Sequence, residues 1–210
     1  MFNDFINKLR LKLKQPLPGR EAQFKMASDI RLTNFQYQSM TDKALRSAVL
    51  VLLFPYRKSI QMVLIKRAID KSVHSGQISL PGGKFEKEDA DLEQTALRET
   101  HEEVGVNPSH IKVLGSLTEL FVPPSNFIIF PYVGYCNEKP VFIPDGNEVD
   151  CIIEADVRDF LNPHKRKSKE IIIRNEFKIT APVFEIQGHF VWGATGMILS
   201  EFTEIIREIL

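Results

Sequence analysis

The chain is predicted to be an α/β (α+β) sandwich: a mixed sheet with one helix in the middle of the sequence and helices at both ends. Three observations carry this. Apolar, β-branched runs of strand length recur through the middle of the chain, a charged helical pattern interrupts them near residue 95, and amphipathic helical patterns occupy both termini. At 210 residues the chain is long enough to bury a core of its own.

The elements follow in order. Phe2, Phe5, Ile6, Leu9 and Leu13 recur at spacings of three and four, which predicts a helix with Lys8, Lys12 and Lys14 on its other face. Pro16 and Pro18-Gly19 end it, and it is expected to pack on the domain body. Ala48–Phe54 and Ile60–Ile65 flank the turn residues Pro55 to Ser59 and predict a hairpin. Residues 68 to 77 are polar and irregular, Pro81-Gly82-Gly83 is a sharp break, and a helix is predicted from about Asp89 to Val104. Strands are expected at Ile111–Phe121, Phe127–Tyr135, Val149–Glu154, Glu170–Arg174, Phe177–Ile179 and Val183–Ile186, with His164 to Lys169 as an exposed basic loop. A closing helix from about Ala194 to Ile209 carries Met197, Ile198, Phe202, Ile205 and Ile206 on its apolar side. No linker splits the chain, so residues 1–45 read as a helical extension packed on a domain of residues 46–210.

Lys plus Arg and Asp plus Glu both number 27, which excludes a strongly basic nucleic-acid binder. No apolar run approaches the length of a membrane span. Cys136 and Cys151 lack metal or disulfide spacing, and the first residues lack an uninterrupted apolar stretch with a cleavage site. A reducing, cytoplasmic location is therefore expected, with no membrane partner; the sequence is compatible with a homodimer.

The segment Gly82 to Gly105 holds eight acidic residues against three basic ones. Within it, Glu99, Glu102 and Glu103 fall on one helix face, with Leu97, Thr100 and Val104 roughly opposite. Like charges at these spacings repel, so a cation that neutralises them is the simplest reason for their company. All-oxygen ligands specify a hard ion, and Mg²⁺ or Mn²⁺ suits a few carboxylates plus substrate phosphate. The Gly82-Gly83 turn can bring free backbone groups close to ion and phosphate, and Arg98 can orient Glu102 one turn on. His74 and His101 read as loop and surface residues, and Phe142, Phe160 and Trp192 as core.

Gly83, Arg98-Glu99, Glu102-Glu103 and Gly105-Val106 resemble the Nudix box, whose helical part runs R-E-U-x-E-E-x-G-U with U apolar; Thr100 departs from it. Gly83 and Arg98 stand one position further apart than in the usual box, and Asp89 replaces the usual intervening Glu. That longer loop is similar to the coenzyme A pyrophosphatase subgroup of the Nudix hydrolases. So are Lys66-Arg67-Ala68, the run His74 to Gly83, Pro131-Tyr132-Val133, Asn147-Glu148-Val149 and Trp192 to Thr195, although Ser72 stands where the subgroup usually has Arg and Leu80 where it has Phe.

The resemblance implies a Nudix α/β/α sandwich and a divalent-metal-dependent pyrophosphohydrolase. Coenzyme A or its thioesters would be cleaved to 3′,5′-adenosine diphosphate and 4′-phosphopantetheine. Glu99, Glu102, Glu103 and the Gly83 carbonyl would hold the ions, with Arg98 beside them. Glu99 or Glu148 would take the proton of the attacking water. Gly82, Lys66, Arg67 and Lys71 would face the substrate, the cations being candidates for the 3′-phosphate. Two alternatives stay open: a Nudix hydrolase of another nucleoside diphosphate derivative, such as a sugar nucleotide or dinucleoside polyphosphate, and a Nudix module that binds nucleotide without cleaving it.

Overall fold

The computed structural model describes residues 1–33, 43–69, 75–173 and 177–210. Its centre is β1 (Leu45–Tyr56), a strand buried on both faces, which explains why the sequence reads there as an unbroken apolar run. Ala48, Leu50, Leu52 and Phe54 point to one core, and Val51 and Leu53 to the other. β2 (Ser59–Arg67) returns antiparallel after Arg57-Lys58, where Arg57 takes a left-handed φ of 54°. The turn is thus tighter than the sequence suggests, and Pro55, Tyr56 and Ser59 belong to the strands.

β1 and β2 part company beyond Leu53 and Met62, and the following segment fills the fork. β3 (Ile78–Ser79) pairs with Ile65 and Lys66 of β2, and β4 (Gly82–Lys84) pairs with Ser47 to Val49 of β1. The other edge of β1 carries β7 (Phe127–Tyr135) in parallel, and β5 (Lys112–Ser116) and β6 (Leu120–Val122) pair antiparallel with β7. β8 (Val149–Asp156) lies antiparallel on the free edge of β2. The sheet is mixed, as expected.

Helix α4 (Leu92–Val104) covers one face through Ala96, Leu97 and Val104. The other face meets α1 (Phe2–Lys12), α5 (Val157–Leu161) and α6 (Gly193–Arg207) through Phe5, Ile6, Leu9, Val157, Phe160, Phe202 and Ile206. Short helices α2 (Gly19–Phe24) and α3 (Asp29–Thr33) follow α1. A second sheet holds β9 (Arg166–Ile173), β10 (Phe177–Ile186) and β11 (His189–Val191) in the order β11-β10-β9. No helix among the described residues is long and apolar enough to cross a membrane.

Three expectations are corrected. Ile111–Phe121 is two strands, because the chain leaves the ladder at Leu117-Thr118 and the Thr118 N–H turns to Glu201. Residues 177–186 form one strand through Pro182; β11 pairs only with Phe184 to Ile186, so a missing N–H at 182 breaks no bond on that side. The basic run 164–169 is largely strand, and its charges find partners on neighbouring elements: Lys165 on Asp159 and Lys167 on Glu185.

The N-terminal extension is fastened by a buried carboxylate that the sequence does not single out. Glu201, fully buried on α6, accepts hydrogen bonds from the Gly19 N–H at 3.1 Å, Gln23 Nε2 at 2.9 Å and Thr118 Oγ1 at 2.7 Å. Gln23 Nε2 also donates to the Thr118 carbonyl at 2.8 Å. One acidic side chain thus ties α2 to α6 and to the β5–β6 corner. Replacing it strands several buried donors, so Glu201→Ala is expected to lower stability by about 3 kcal/mol in urea unfolding. Glu201→Gln, which keeps one acceptor oxygen, is expected to lose less.

Candidate active site

Helix α4 begins later than the sequence pattern suggests because two aspartates divide the work ahead of it. Asp91 is the N-cap and accepts the Gln94 N–H at 2.9 Å. Asp89 lies before it, its side chain almost wholly buried, and accepts from the Glu86 N–H, Thr95 Oγ1, Arg98 Nε at 2.8 Å and Arg98 Nη2 at 3.0 Å. The bidentate Arg98 guanidinium holds the Asp89 carboxyl well below the usual carboxylate range. Gly105 closes the helix in the left-handed conformation, at φ 75°.

Arg98 is a distributor. Besides Asp89 it donates through Nη1 to Glu99 and to Glu102, each at 2.9 Å, and through Nη2 to the Lys84 carbonyl at 3.1 Å. Glu102 is thereby placed on the solvent side, whereas Glu99 is mostly buried and Glu103 almost completely so. The three carboxylates therefore do not share one outward face: Glu103 turns to the sheet with Thr100 and Val104, and Glu99 sits at the boundary.

The sheet admits acids there because β4 presents no side chains to them. A Cβ on Gly83 would stand 2.3 Å from Glu99 Oε1. At Gly82, where φ is 150°, it would stand 2.3 Å from the Ala48 carbonyl oxygen, a backbone atom that cannot give way. The bare Gly82 lets β4 lie tight against β1 and the bare Gly83 leaves room for α4, and Glu103 Oε2 accepts the Gly82 N–H at 2.8 Å.

Glu148 joins this group through the fold. The chain ahead of it is tied to the end of α4, since the Ile143 N–H donates to the Val104 carbonyl and the Asp145 N–H to that of Glu103. Beyond it, the Glu148 carbonyl accepts the Ala68 N–H at 2.8 Å. The Glu148 side chain is exposed and makes no hydrogen bond or ion pair among the described residues, yet its charge is felt by both Glu99 and Glu103. Burial is the main cause that pushes both carboxyls up, Glu103 to about 7; the Gly82 N–H and Arg67 oppose it at Glu103, and Arg98 opposes it at Glu99.

Two of the cations expected to face the substrate have partners of their own. Arg67 Nη1 approaches Glu103 Oε1 at 3.4 Å, while Lys66 points to the opposite face and pairs with Asp150 at 2.5 Å. Lys71, Ser72 and His74 lie outside the described residues. His101 is exposed, Phe160 is core, Phe142 packs edge-on against Phe54, and Trp192 is half-buried ahead of α6. Sequence reading left unnoticed the tether at Ile143 and Asp145 and the Lys84 carbonyl, all backbone contacts that no residue type signals.

A family model described as the NUDIX domain matches residues 44–174. The chain belongs to the Nudix family. The uncharacterized Nudix hydrolase NudL of Yersinia pestis is 30% identical over 202 residues, covering 96% of this chain and 93% of that protein. The mitochondrial Nudix hydrolase 15 of Arabidopsis thaliana is 35% identical over 173 residues, and the chain spans 60% of its length. Among solved structures, a MutT/nudix family protein from Enterococcus faecalis superposes with a TM-score of 0.52 at 18% identity, over 92% of this chain and 76% of that one. That likeness is one of fold. In Nudix terms, Gly83, Arg98, Glu99, Glu102 and Glu103 of the box are gathered on β4 and α4, and the shorter acid Asp89 reaches Arg98 across the longer loop.

The Asp89–Arg98 pair carries a stability prediction. Asp89→Asn breaks a nearly buried ion pair and is expected to lower stability at neutral pH by about 2 kcal/mol. Because Asp89 titrates lower in the folded chain than its ordinary value near 3.8, the wild type's advantage is complete above that value and fades as the pH falls below it. Urea unfolding of both proteins between pH 7 and pH 3 checks the sign.

Proposed function

We propose that the chain is a divalent-metal-dependent pyrophosphohydrolase of nucleoside diphosphate derivatives, with coenzyme A and its thioesters as the leading substrates. The observation that carries the reading is the placement of Glu99 and Glu103 against the bare Gly82-Gly83 turn, with Arg98 holding Glu99 and Glu102 and the charge of Glu148 felt by both buried acids. The choice of coenzyme A rests on the segments that resemble that subgroup outside the box, from Lys66 to Gly83 and at Asn147-Glu148.

Nudix hydrolases generally need divalent ions, typically Mg²⁺ or Mn²⁺. The residues fit such an ion in donor chemistry, since they offer only oxygen and since the negative charge of Glu148 bears on both Glu99 and Glu103. Among the described residues, no three His, Cys, Asp or Glu side chains are grouped so as to hold a metal by themselves; substrate phosphate oxygens are the natural complement. Glu99, Glu102, Glu103 and the Gly83 carbonyl would hold the ion, which supplies charge neutralisation at the diphosphate.

The chain's own residues then divide the remaining tasks. Arg98, anchored by Asp89, fixes the angles of Glu99 and Glu102. Glu99 is engaged by Arg98, whereas the Glu148 carboxylate makes no hydrogen bond or ion pair among the described residues and its charge is felt by Glu99 and Glu103, so Glu148 is the better placed to take the proton of the attacking water. No covalent intermediate is required; positioning and charge neutralisation suffice for attack on phosphorus.

Incubation of the protein and Mg²⁺ or Mn²⁺ with coenzyme A, acyl-coenzyme A, sugar nucleotides and dinucleoside polyphosphates, with products read by mass, tests the reading. Cleavage of coenzyme A to 3′,5′-adenosine diphosphate and 4′-phosphopantetheine is expected. Cleavage only of other substrates would move the assignment within the family, and binding without cleavage would make the chain a nucleotide-binding module. Glu103→Gln is expected to abolish turnover while circular dichroism stays native; normal turnover at low Mg²⁺ would refute the ligand assignment. Glu148→Gln is expected to lower kcat by roughly 10² with little change in KM, and an unchanged kcat would return the role of base to Glu99.

A further inference from the structure

Strand β2 ends in two adjacent cations, and the structure uses them differently. Alternate residues Val63, Ile65 and Arg67 face α4, whereas Leu64 and Lys66 face the other core or its rim. Opposite them, β8 carries an irregularity: Lys66 pairs with Cys151 but Arg67 with Val149, so Asp150 is an extra residue in the ladder. The extra residue does two things. It turns Val149 onto the α4 side, where it is buried in the same core as Ile65, and it leaves Asp150 to pair with Lys66. Arg67 is thus held at a strand end with Val149 beside it and Glu148 next in the chain, its backbone N–H bonded to the Gln77 carbonyl at 3.0 Å.

From that place the guanidinium meets Glu103, the most buried carboxylate of the group. Glu103 is gripped at both oxygens: Oε2 by the Gly82 N–H at 2.8 Å and Oε1 by Arg67 at 3.4 Å. A buried carboxylate with a single contact is free to rotate about its last bond, whereas two contacts from different strands fix its plane. Arg67 reaches Glu103 from β2 and Gly82 from β4, so the clamp closes only when the fork between β1 and β2 is filled. Arg67 remains about one-third exposed, and its reach is spent on a carboxylate of the chain itself.

We propose that Arg67 is a positioning residue for Glu103, and not the contact that selects a substrate's 3′-phosphate. The inference rests on the proposed hydrolase reading of this site. Residues that hold ligands from behind commonly change metal affinity or activity by 10–100-fold when replaced. They act on the reacting centre and not on one end of the substrate, so their loss is felt alike by all substrates.

The experiment compares wild type, Arg67→Ala and Arg67→Lys. Steady-state kinetics on coenzyme A and on 3′-dephospho-coenzyme A are paired with Mn²⁺ titration of the substrate-free protein, read by electron paramagnetic resonance. Arg67→Ala is expected to weaken Mn²⁺ binding about tenfold and to lower kcat about tenfold or more on both substrates, with KM within about twofold and the ratio of efficiencies unchanged. Arg67→Lys, which keeps one N–H donor on a long stem, is expected to restore part of both losses. A loss confined to coenzyme A, with Mn²⁺ binding untouched, would overturn the proposal and make Arg67 the reader of the 3′-phosphate. Should the wild type cleave neither substrate, the hydrolase reading on these compounds fails, and the Mn²⁺ titration alone decides the role of Arg67: a tenfold weakening supports it and an unchanged affinity refutes it.

Discussion

The close approach of α4 to the two adjacent glycines of β4 is the constraint on which the rest depends. A helix ordinarily meets a sheet through apolar side chains on both surfaces, at about 10 Å. Here the contact at Gly82 and Gly83 is backbone on one side and carboxylate on the other. Any Cβ at Gly82 meets the Ala48 carbonyl, and any Cβ at Gly83 meets Glu99. The site exists because two adjacent positions of β4 carry no side chain, and because β4 itself is wedged into the fork between β1 and β2.

Bringing acids to such a place is electrostatically expensive, and the fold answers with fixed donors. Asp89 and Arg98 form the stiffest part, a bidentate pair whose remaining N–H groups reach Glu99, Glu102 and the Lys84 carbonyl. Arg67 and the Gly82 N–H serve Glu103. What these donors leave uncompensated shows in the raised Glu99 and Glu103 carboxyls, where burial outweighs the partners. On the proposed reading, a cation would supply the compensation that burial withholds from these acids, and the all-oxygen donors suit a hard one.

The opposite face follows a different logic. There the core is apolar and continuous from α1 through β1 and β2 to α6, and the buried acid Glu201 is a fastener. Glu201 and Glu103 are both buried glutamates on helices packed against the same sheet. Their surroundings separate them: Glu201 is met by neutral donors of the N-terminal extension and of Thr118, and Glu103 feels the charges of Glu99 and Glu148.

How much of this was legible in the sequence depends on the distance over which each feature is set. The α/β sandwich, the amphipathic first helix and the apolar β1 run follow from local periodicity, and the box residues from Gly83 to Gly105 from a resemblance between short motifs; neither needs knowledge of what lies across the chain. Helical spacing alone placed the three glutamates on one helix face, and the structure divides them, because the inward tilt of Glu103 depends on glycines about twenty residues earlier. The same holds for Glu148, whose neighbours on α4 are fixed by backbone hydrogen bonds at Ile143 and Asp145, and for Lys66 and Arg67, adjacent in sequence but sent to opposite partners by the pleat of β2 and an extra residue in β8. The sequence by itself determined the fold class, the family and the identity of the acidic helix. Only the tertiary structure decided which carboxylates are buried, which are exposed and which cation holds which acid, because those are contacts between strands and helices that the chain brings together from far apart.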